Sequence, residues 1–420
     1  MSIKLTQSPL ICGVSATQKE SNHILITVEG ARPTTTTKRK PLNLVLAIDC
    51  SSSMVGSKID TVKKAACAFV DKLAATDRIG VVSFANHVKE VWPLDLLEDR
   101  AGIKRAIDNL KASGSTALFP GWEASVGMLE AIGGRILLLS DGEANIGLTA
   151  PDAISEKVKE AKAKDIATST LGVGSDYNED LMEAMALSGE GNYFFVEKPD
   201  QLDEILTLEL AGVQARIGTD AVLELTEESN TEIIKAIKPN ILSKNKIKLG
   251  SILSGIPIHV LLEIATAPSS TDVKVLTVKL QYKDADSKTN VEATNTLQLP
   301  AIDNEWLEVQ QDPSVKERVA AAKAEELREA AVLEAEKGNK EASMAYLSEA
   351  SSVFAQMPLT SYISGELGML NAVTSKVEAG EYANATKLSK AMCYSRTSSL
   401  VRDYLAETYS EKKTDEGNNK

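Results

Sequence analysis

Asp49, Ser51 and Ser53 carry one carboxylate and two hydroxyls on alternate residues, directly after the apolar run 42–48. A short, almost wholly apolar run is typical of a buried parallel strand, and open α/β sheets bind their ligands at the carboxyl ends of such strands. Carboxylate and hydroxyl oxygens are hard donors, which suit a small hard cation such as Mg²⁺. This segment therefore predicts a metal-binding loop.

Two later segments add oxygen ligands of the same kind. Thr116 ends the small-residue segment 113–116, which precedes a predicted helix, and Asp141 follows the apolar strand 135–140. The three segments follow one another at the spacing of alternating strands and helices, so we expect them to meet at one edge of a sheet. Two carboxylates neutralise one divalent cation. A metal that takes about six oxygens then has room for an acidic side chain from a partner.

With these residues, the segment 41–213 resembles the von Willebrand factor type A family. The five residues named above match, in order and in type, the family's metal-ion-dependent adhesion site. The resemblance implies that the serine and threonine oxygens contact the metal and that the aspartates often act through water. It also implies Mg²⁺ as the cofactor, with Mn²⁺ or Ca²⁺ as substitutes, and a protein partner whose Asp or Glu completes the coordination shell.

The structural alternative is a site without metal, in which the same side chains only stabilise turns and cap helices. Loss of one ligand would favour that alternative. Because all five positions carry the residue types that the family uses, we expect metal binding.

The rest of the chain predicts two further parts around this domain. Residues 1–40 and 214–301 contain long strands separated by polar turns, which indicates one antiparallel β-sandwich. The doubly wound α/β domain, residues 41–213, is inserted between its two portions. Residues 302–410 are rich in Ala and Glu with a helical period, which predicts an all-α helical bundle. The tail 411–420 has no apolar residue, so we expect it to be disordered.

Two prolines mark predicted ends of elements within the α/β domain. We expect an antiparallel edge strand, residues 88–92, to stop before Pro93, because proline cannot donate to a sheet. We expect a helix to start at Pro120 and to run to Ile132, because proline suits the first turn of a helix.

Composition excludes several classes of function. The net charge is −13 and aromatic residues make up 4% of the chain, so a basic surface and stacking rings for nucleic acid are both lacking. The most apolar stretch, 252–265, is too short and too polar to span a bilayer. The N-terminus lacks the features of a targeting segment, and the four cysteines form no C-x-x-C pair. We therefore expect a cytoplasmic protein without a membrane span.

The sequence has neither a G-x-x-x-x-G-K-[ST] phosphate loop nor a G-x-S-x-G element, so we expect a protein that is not an enzyme. Trp122 and Glu143 lie close to the predicted metal loops and are candidate partner-binding residues. A core tryptophan and a solvated carboxylate are the structural alternatives. The favoured function is a metal-dependent protein-interaction module, acting as an adaptor or scaffold.

Two other functions stay open. In one, the helical bundle carries the interaction while the metal only orders its loops, and the protein regulates an AAA+ ATPase or a signalling complex. The layout resembles bacterial multi-domain type A proteins that work beside such partners. The other is a metal-assisted hydrolase or phosphatase that uses Asp49 or Glu143. It is disfavoured because position 51 is a serine, where phosphoaspartyl enzymes typically have a second carboxylate.

Overall fold

The computed structural model describes most of the chain, in ten ranges: residues 3–31, 41–141, 144–174, 177–196, 201–228, 231–237, 240, 242–285, 287–302 and 311–395. The described residues form two compact units. One unit lies within residues 38–214, and the other combines the residues before and after that segment. None of the helices in these ranges is both long enough and apolar enough to cross a membrane.

In chain order, three strands of the second unit, which combines the residues before and after 38–214, come first. The alternating strands and helices of the inserted unit, residues 38–214, follow. The first three strands are β1 (Ile3–Pro9), β2 (Val14–Ser15) and β3 (Glu20–Gly30). The strands of the inserted unit are β4 (Asn43–Asp49), β5 (Arg78–Phe84), β6 (Val88–Leu96), β7 (Gly134–Ser140), β8 (Ile166–Val173) and β9 (Glu190–Val196). Its helices are α1 (Ser57–Lys72), α2 (Arg100–Asp108), α3 (Leu118–Leu129), α4 (Pro151–Lys162), α5 (Glu179–Ser188) and α6 (Leu202–Gln214), with a 3₁₀ turn at Ser52–Met54.

The strands of the inserted unit form one sheet in the order β6-β5-β4-β7-β8-β9. All neighbours in this sheet are parallel except β6, which is antiparallel to β5. Strands β4, β5 and β7 are buried at every position after the first, as a parallel strand covered on both faces requires. The predicted α/β fold with a central, largely parallel sheet is therefore confirmed, and β4 and β7 lie side by side at its centre.

Both prolines lie inside elements rather than at their ends. Strand β6 continues through Pro93 to Leu96, so the predicted end at residue 92 is wrong. The pairing of β6 with β5 shifts register between Val81 and Ile79, opposite this proline, and an edge strand tolerates a missing N–H there. Helix α3 begins two residues before Pro120, because proline fits anywhere in the first turn, where the N–H has no partner within the helix.

The second unit contains two four-stranded antiparallel sheets. Its later strands are β10 (Arg216–Glu227), β11 (Thr231–Ala236), β12 (Lys246–Leu253), β13 (Ile258–Thr266), β14 (Val273–Asp284), β15 (Asn290–Leu299) and the short β16 (Ala301–Ile302). One sheet has the order β1-β3-β13-β11 and the other the order β12-β10-β14-β15. Fully buried side chains from both sheets, such as Ile26 and Leu223, share one hydrophobic core. Strands β2 and β3 pair with β16 and β13, which come more than two hundred residues later, whereas β1 pairs with β3.

Four helices follow the sheets in the same unit. They are α7 (Pro313–Glu336), α8 (Lys340–Ala355), α9 (Ser361–Ala379) and α10 (Tyr382–Ser395). Each packs on the next, and α10 packs back on α7. Gly338 and Gly380 follow α7 and α9 with positive φ angles of 79° and 78°, the left-handed conformation that ends a helix at little cost for glycine. Val315 of α7 packs against Leu25 and Leu261, which joins the helices to the first sheet.

Candidate metal site

Asp49 and Asp141 meet at one edge of the parallel sheet. Asp49 ends β4 and Asp141 follows Ser140, the last residue of β7, and the two strands pair in register up to Ile48. Both carboxylates are 0% exposed to solvent. Two buried carboxylates in one site need compensating positive charge, because burial removes the water that would stabilise their charge.

Asp49 is held in one orientation by two hydrogen bonds. The backbone N–H of Ser51 donates to Oδ1 at 2.8 Å, and the hydroxyl of Ser140 donates to Oδ2 at 2.5 Å. Burial raises the pKa of Asp49, the bonds from Ser140 and Ser51 oppose this shift, and the charge of Asp141 adds to it, so that the pKa lies above its ordinary value. A cation bound here would favour the ionised carboxylate.

A chain of hydroxyls connects the first loop to Asp141. The Ser51 and Ser53 hydroxyl oxygens are 2.9 Å apart, and the Ser53 hydroxyl donates to Oδ1 of Asp141 at 2.6 Å. Ser51 is buried, whereas Ser53 is exposed. These three predicted ligands are therefore in direct contact, and the exposed Ser53 lies on the side of the site that solvent reaches.

The loop that carries Thr116 is bound to the first loop by backbone hydrogen bonds. The N–H of Ser52 donates to the carbonyl of Gly114 at 2.9 Å, and the N–H of Ser113 donates to the carbonyl of Cys50 at 2.7 Å. Gly114 has a φ of 84°, which only glycine adopts freely, and its N–H donates to the Ser52 hydroxyl at 2.8 Å. The positive φ at Gly114 explains why this loop contains a glycine.

Asn145 connects Thr116 to the segment after Asp141. Its side-chain oxygen accepts from the N–H of Thr116 at 2.8 Å, and its own N–H donates to the Thr116 carbonyl at 3.1 Å. Thr116 is 4% exposed. Sequence reasoning missed Asn145, because its partner lies 29 residues earlier and the contact leaves no local pattern. All three predicted loops are thus joined in one network.

Lys58 is a member of the site that sequence reasoning missed. It lies in the first turn of α1, and its Nζ is 2.5 Å from Oδ2 of Asp141. The Lys58 side chain is 25% exposed, while that of Asp141 is 0% exposed. In this structure the two oxygens of Asp141 are therefore bound by Ser53 and by Lys58. The sequence feature that could have indicated this contact is the position of Lys58 in the first turn of the helix that follows the first metal loop.

The two predicted partner-binding residues have different outcomes. Trp122 is 2% exposed and its indole N–H donates to the hydroxyl of Thr168 at 3.0 Å, so the prediction that it contacts a partner is wrong. The indole packs in the core because α3 lies on the sheet with this face inward, and Phe119 stacks beside it at 5.6 Å between ring centroids. Glu143 lies outside the described residues.

The donor set fits a small hard cation. It has two carboxylates and three hydroxyls, all oxygen, and two of the hydroxyls are already hydrogen-bonded to each other. Nowhere in the described ranges do three or more His, Cys, Asp or Glu side chains form a group that would hold a metal. A metal held here would therefore be bound by hydroxyl oxygens in addition to the two carboxylates.

A comparison with protein families identifies this part of the chain. The model of the von Willebrand factor type A domain matches residues 43–208. Residues 43–208 form a von Willebrand factor type A domain. Type A domains are protein-interaction modules, and they commonly bind a divalent metal at the adhesion site. The resemblance found in the sequence is confirmed at the level of the domain.

Similar proteins and structures extend beyond this domain. The protein sll0103 of Synechocystis is 31% identical over 246 residues, which are 56% of this chain and 56% of that protein. The chain thus spans about half the length of this relative. The structure of a von Willebrand factor type A protein from Catenulispora acidiphila has a TM-score of 0.67 at 17% identity and covers 88% of this chain and 89% of its own. The ArnB paralogue VWA2 of Sulfolobus acidocaldarius has a TM-score of 0.61 at 17% identity, covering 93% and 98%. The two structures show a common fold.

Proposed function

We propose that this type A domain binds a divalent metal, Mg²⁺ or Mn²⁺, and through it an acidic side chain of a protein partner, without catalysis. The five ligands are Asp49, Ser51, Ser53, Thr116 and Asp141. The observation that carries the proposal is the pair of fully buried carboxylates at the ends of two adjacent parallel strands, connected by serine hydroxyls. Lys58 compensates one of these two charges, so one negative charge remains for a bound metal to compensate.

The chemistry of the donors supports Mg²⁺ in particular. Mg²⁺ takes about six oxygens in near-octahedral geometry and gives up its last waters reluctantly, so it suits a site with few carboxylates. The protein offers at most five side chains here, which leaves a position for an outside oxygen. A partner carboxylate in that position gains an interaction with the metal that a neutral ligand lacks.

The side of the site that faces solvent supports binding of a partner. Ser53 is exposed, and the neighbouring Val55 is 63% exposed although it is apolar. A partner that presents a carboxylate to the metal would therefore also meet an apolar contact beside it. Buried and exposed ligands in one site suit a metal that is fixed by the protein on one side and open to a ligand on the other.

A pull-down from a lysate of the source cells tests the proposal. The wild-type chain and Asp49→Ala are compared in Mg²⁺ and in a chelator, with Asp95→Ala as the control. Asp95 has a 71% exposed side chain and lies in β6, opposite Ile79 near the start of β5, so it is at the other edge of the sheet.

The proposal predicts proteins that wild type and Asp95→Ala retain in Mg²⁺ and lose in the chelator, and that Asp49→Ala never retains. Proteins retained equally in every lane would contradict the proposal, because the interaction would then not pass through the metal. Circular dichroism of each variant checks that the fold is intact.

A further inference from the structure

Lys58 provides a cation inside the predicted metal site itself. Its Nζ lies 2.5 Å from Oδ2 of Asp141, a carboxylate with no exposed surface, while the lysine side chain is 25% exposed. The other oxygen of Asp141 accepts the bond from Ser53. The lysine therefore approaches the site from the side that solvent reaches and occupies one of the two oxygens of a metal ligand.

We propose that Lys58 sets the ligand preference of this site. It competes with the divalent metal for Asp141, and it makes an anionic ligand necessary once the metal has bound. This inference rests on the proposed function, because it concerns the same site and the same acidic ligand. The ion pair between Lys58 and Asp141 thus affects which ligands the site binds. Its role differs from that of a surface ion pair that only stabilises the fold.

The formal charges of Asp49, Asp141 and Lys58 explain why the metal-loaded site favours an anionic ligand. Two carboxylates and one ammonium leave one negative charge without metal, and a divalent cation turns this into one positive charge. A carboxylate from a partner then makes the site neutral. Because the two carboxylates are buried, where charges interact more strongly than in water, an uncompensated charge is costly in either state. The site is neutral only when the metal and the acidic ligand are both bound.

Without Lys58, the divalent metal alone neutralises Asp49 and Asp141. The site then binds the metal more tightly and no longer favours an additional anion. By linkage, an anion that tightens metal binding is itself bound more tightly by the metal-loaded site. Removing Lys58 is therefore expected to change the affinities for metal and for anion in opposite directions. A residue with a merely structural role would not produce this pair of opposite changes.

The test uses isothermal titration of the full chain with Mg²⁺, in sodium chloride and in sodium acetate of equal ionic strength. The variants are Lys58→Met, which keeps the aliphatic length without the charge, and Lys58→Arg, which keeps the charge. Lys64→Met serves as the control, because Lys64 is exposed and lies further along the same helix α1. Thermal unfolding with and without Mg²⁺ gives a second readout if Lys58→Met is less stable without metal.

The inference predicts that Lys58→Met binds Mg²⁺ at least about tenfold more tightly than wild type in chloride, a change of about 1.4 kcal/mol. Acetate tightens Mg²⁺ binding by wild type, Lys58→Arg and Lys64→Met, and it has a smaller effect on Lys58→Met. Equal or weaker Mg²⁺ binding by Lys58→Met, with the same response to acetate as wild type, would overturn the inference and leave the proposed function standing. If neither wild type nor Lys58→Met binds Mg²⁺ or Mn²⁺, the proposed function fails, and the inference fails with it.

Discussion

The hydroxyl of Ser140 donates a hydrogen bond of 2.5 Å to Oδ2 of Asp49, and this bond joins the ends of the two central strands. Strands β4 and β7 pair in register up to Ile48 and Leu139, so the next residue of each strand lies beside the other. Both residues are fully buried. The bond fixes the direction in which the first carboxylate presents its oxygens to the site.

Ser140→Ala is expected to weaken Mg²⁺ binding about tenfold, because residues that orient a metal ligand typically contribute 10- to 100-fold in affinity. Without the hydroxyl of Ser140, Asp49 is held by Ser51 and can rotate away from the metal more easily. Titration calorimetry with Mg²⁺ measures the change. Ser125→Ala is the matched control, since this serine is also fully buried but donates within α3, to the carbonyl of Gly121. Similar Mg²⁺ affinities of the two variants would show that Ser140 does not orient Asp49.

Two glycines of α3 are expected to respond to alanine in opposite directions. A Cβ at Gly121 would overlap the ring of Phe84, which is 1% exposed and has no room to move, so Gly121→Ala is expected to cost about 1–3 kcal/mol. A Cβ at Gly127 meets no atom within 4 Å, so Gly127→Ala is expected to stabilise the protein by about 0.5–1 kcal/mol. Urea unfolding measures both. Destabilisation of the same size in both variants would mean that α3 does not pack on Phe84 as described.

A buried ion pair fixes helix α6 to the sheet. Arg135 and Glu209 are 2.5 Å apart with side chains 7% and 1% exposed, and Ser169 and Asn192 also donate to the carboxylate. Arg135→Met is expected to cost about 3–5 kcal/mol, because it leaves the buried Glu209 without its cation.

The double variant Arg135→Met with Glu209→Leu is expected to recover most of that loss, since it leaves no buried charge. The exposed pair of Arg78 and Asp95, with side chains 40% and 71% exposed, is the control, and Arg78→Met is expected to cost less than about 1 kcal/mol. Chemical denaturation of the four proteins distinguishes these results. A double variant as unstable as Arg135→Met would show that the loss comes from packing and not from charge.

The thiol of Cys50 is expected to be unreactive in the folded protein. Burial, and then the charge of Asp49, raise its pKa from 9.0 to about 12, and the side chain is 4% exposed. At pH 8 only about one thiol in ten thousand would be ionised. Because folded protein binds this proton more tightly than unfolded protein, the stability that it contributes is present below pH 9 and is lost as the pH rises towards 12.

Alkylation with iodoacetamide at pH 8, followed by peptide mass spectrometry, measures the reactivity of the Cys50 thiol. Cys50 is expected to react slowly in native buffer and at the rate of a free thiol in denaturant. Fast labelling in native buffer would mean that the metal loop opens far more often than its hydrogen bonds with Ser113 and Phe84 indicate.

The strands that carry the site were predictable because their signal is local. The runs that precede Asp49 and Asp141 are mostly apolar, and such runs are characteristic of buried parallel strands. The element ends at Pro93 and Pro120 were predicted wrongly. Proline removes only its own N–H and restricts only the preceding residue, and both prolines lie where an N–H would need no partner.

The residues around the ligands could not be predicted in the same way. Lys58 reaches a carboxylate 83 residues later, and Trp122 donates to a hydroxyl 46 residues later, so neither contact leaves a periodic pattern. Whether Trp122 faced the core or the metal edge depended on how α3 rotates on the sheet. That rotation is set by packing against residues such as Phe84, which propensity and spacing do not report.

Titration of Mg²⁺ into wild type, Asp49→Asn and Asp95→Asn is the sharpest test of metal binding at this site. We expect one saturable site in wild type and in Asp95→Asn, and none in Asp49→Asn. Asp49→Asn is nevertheless expected to be at least as stable as metal-free wild type, because it removes a buried carboxyl group whose pKa is raised. Saturable binding of the same affinity in Asp49→Asn, or none in wild type, would contradict the account.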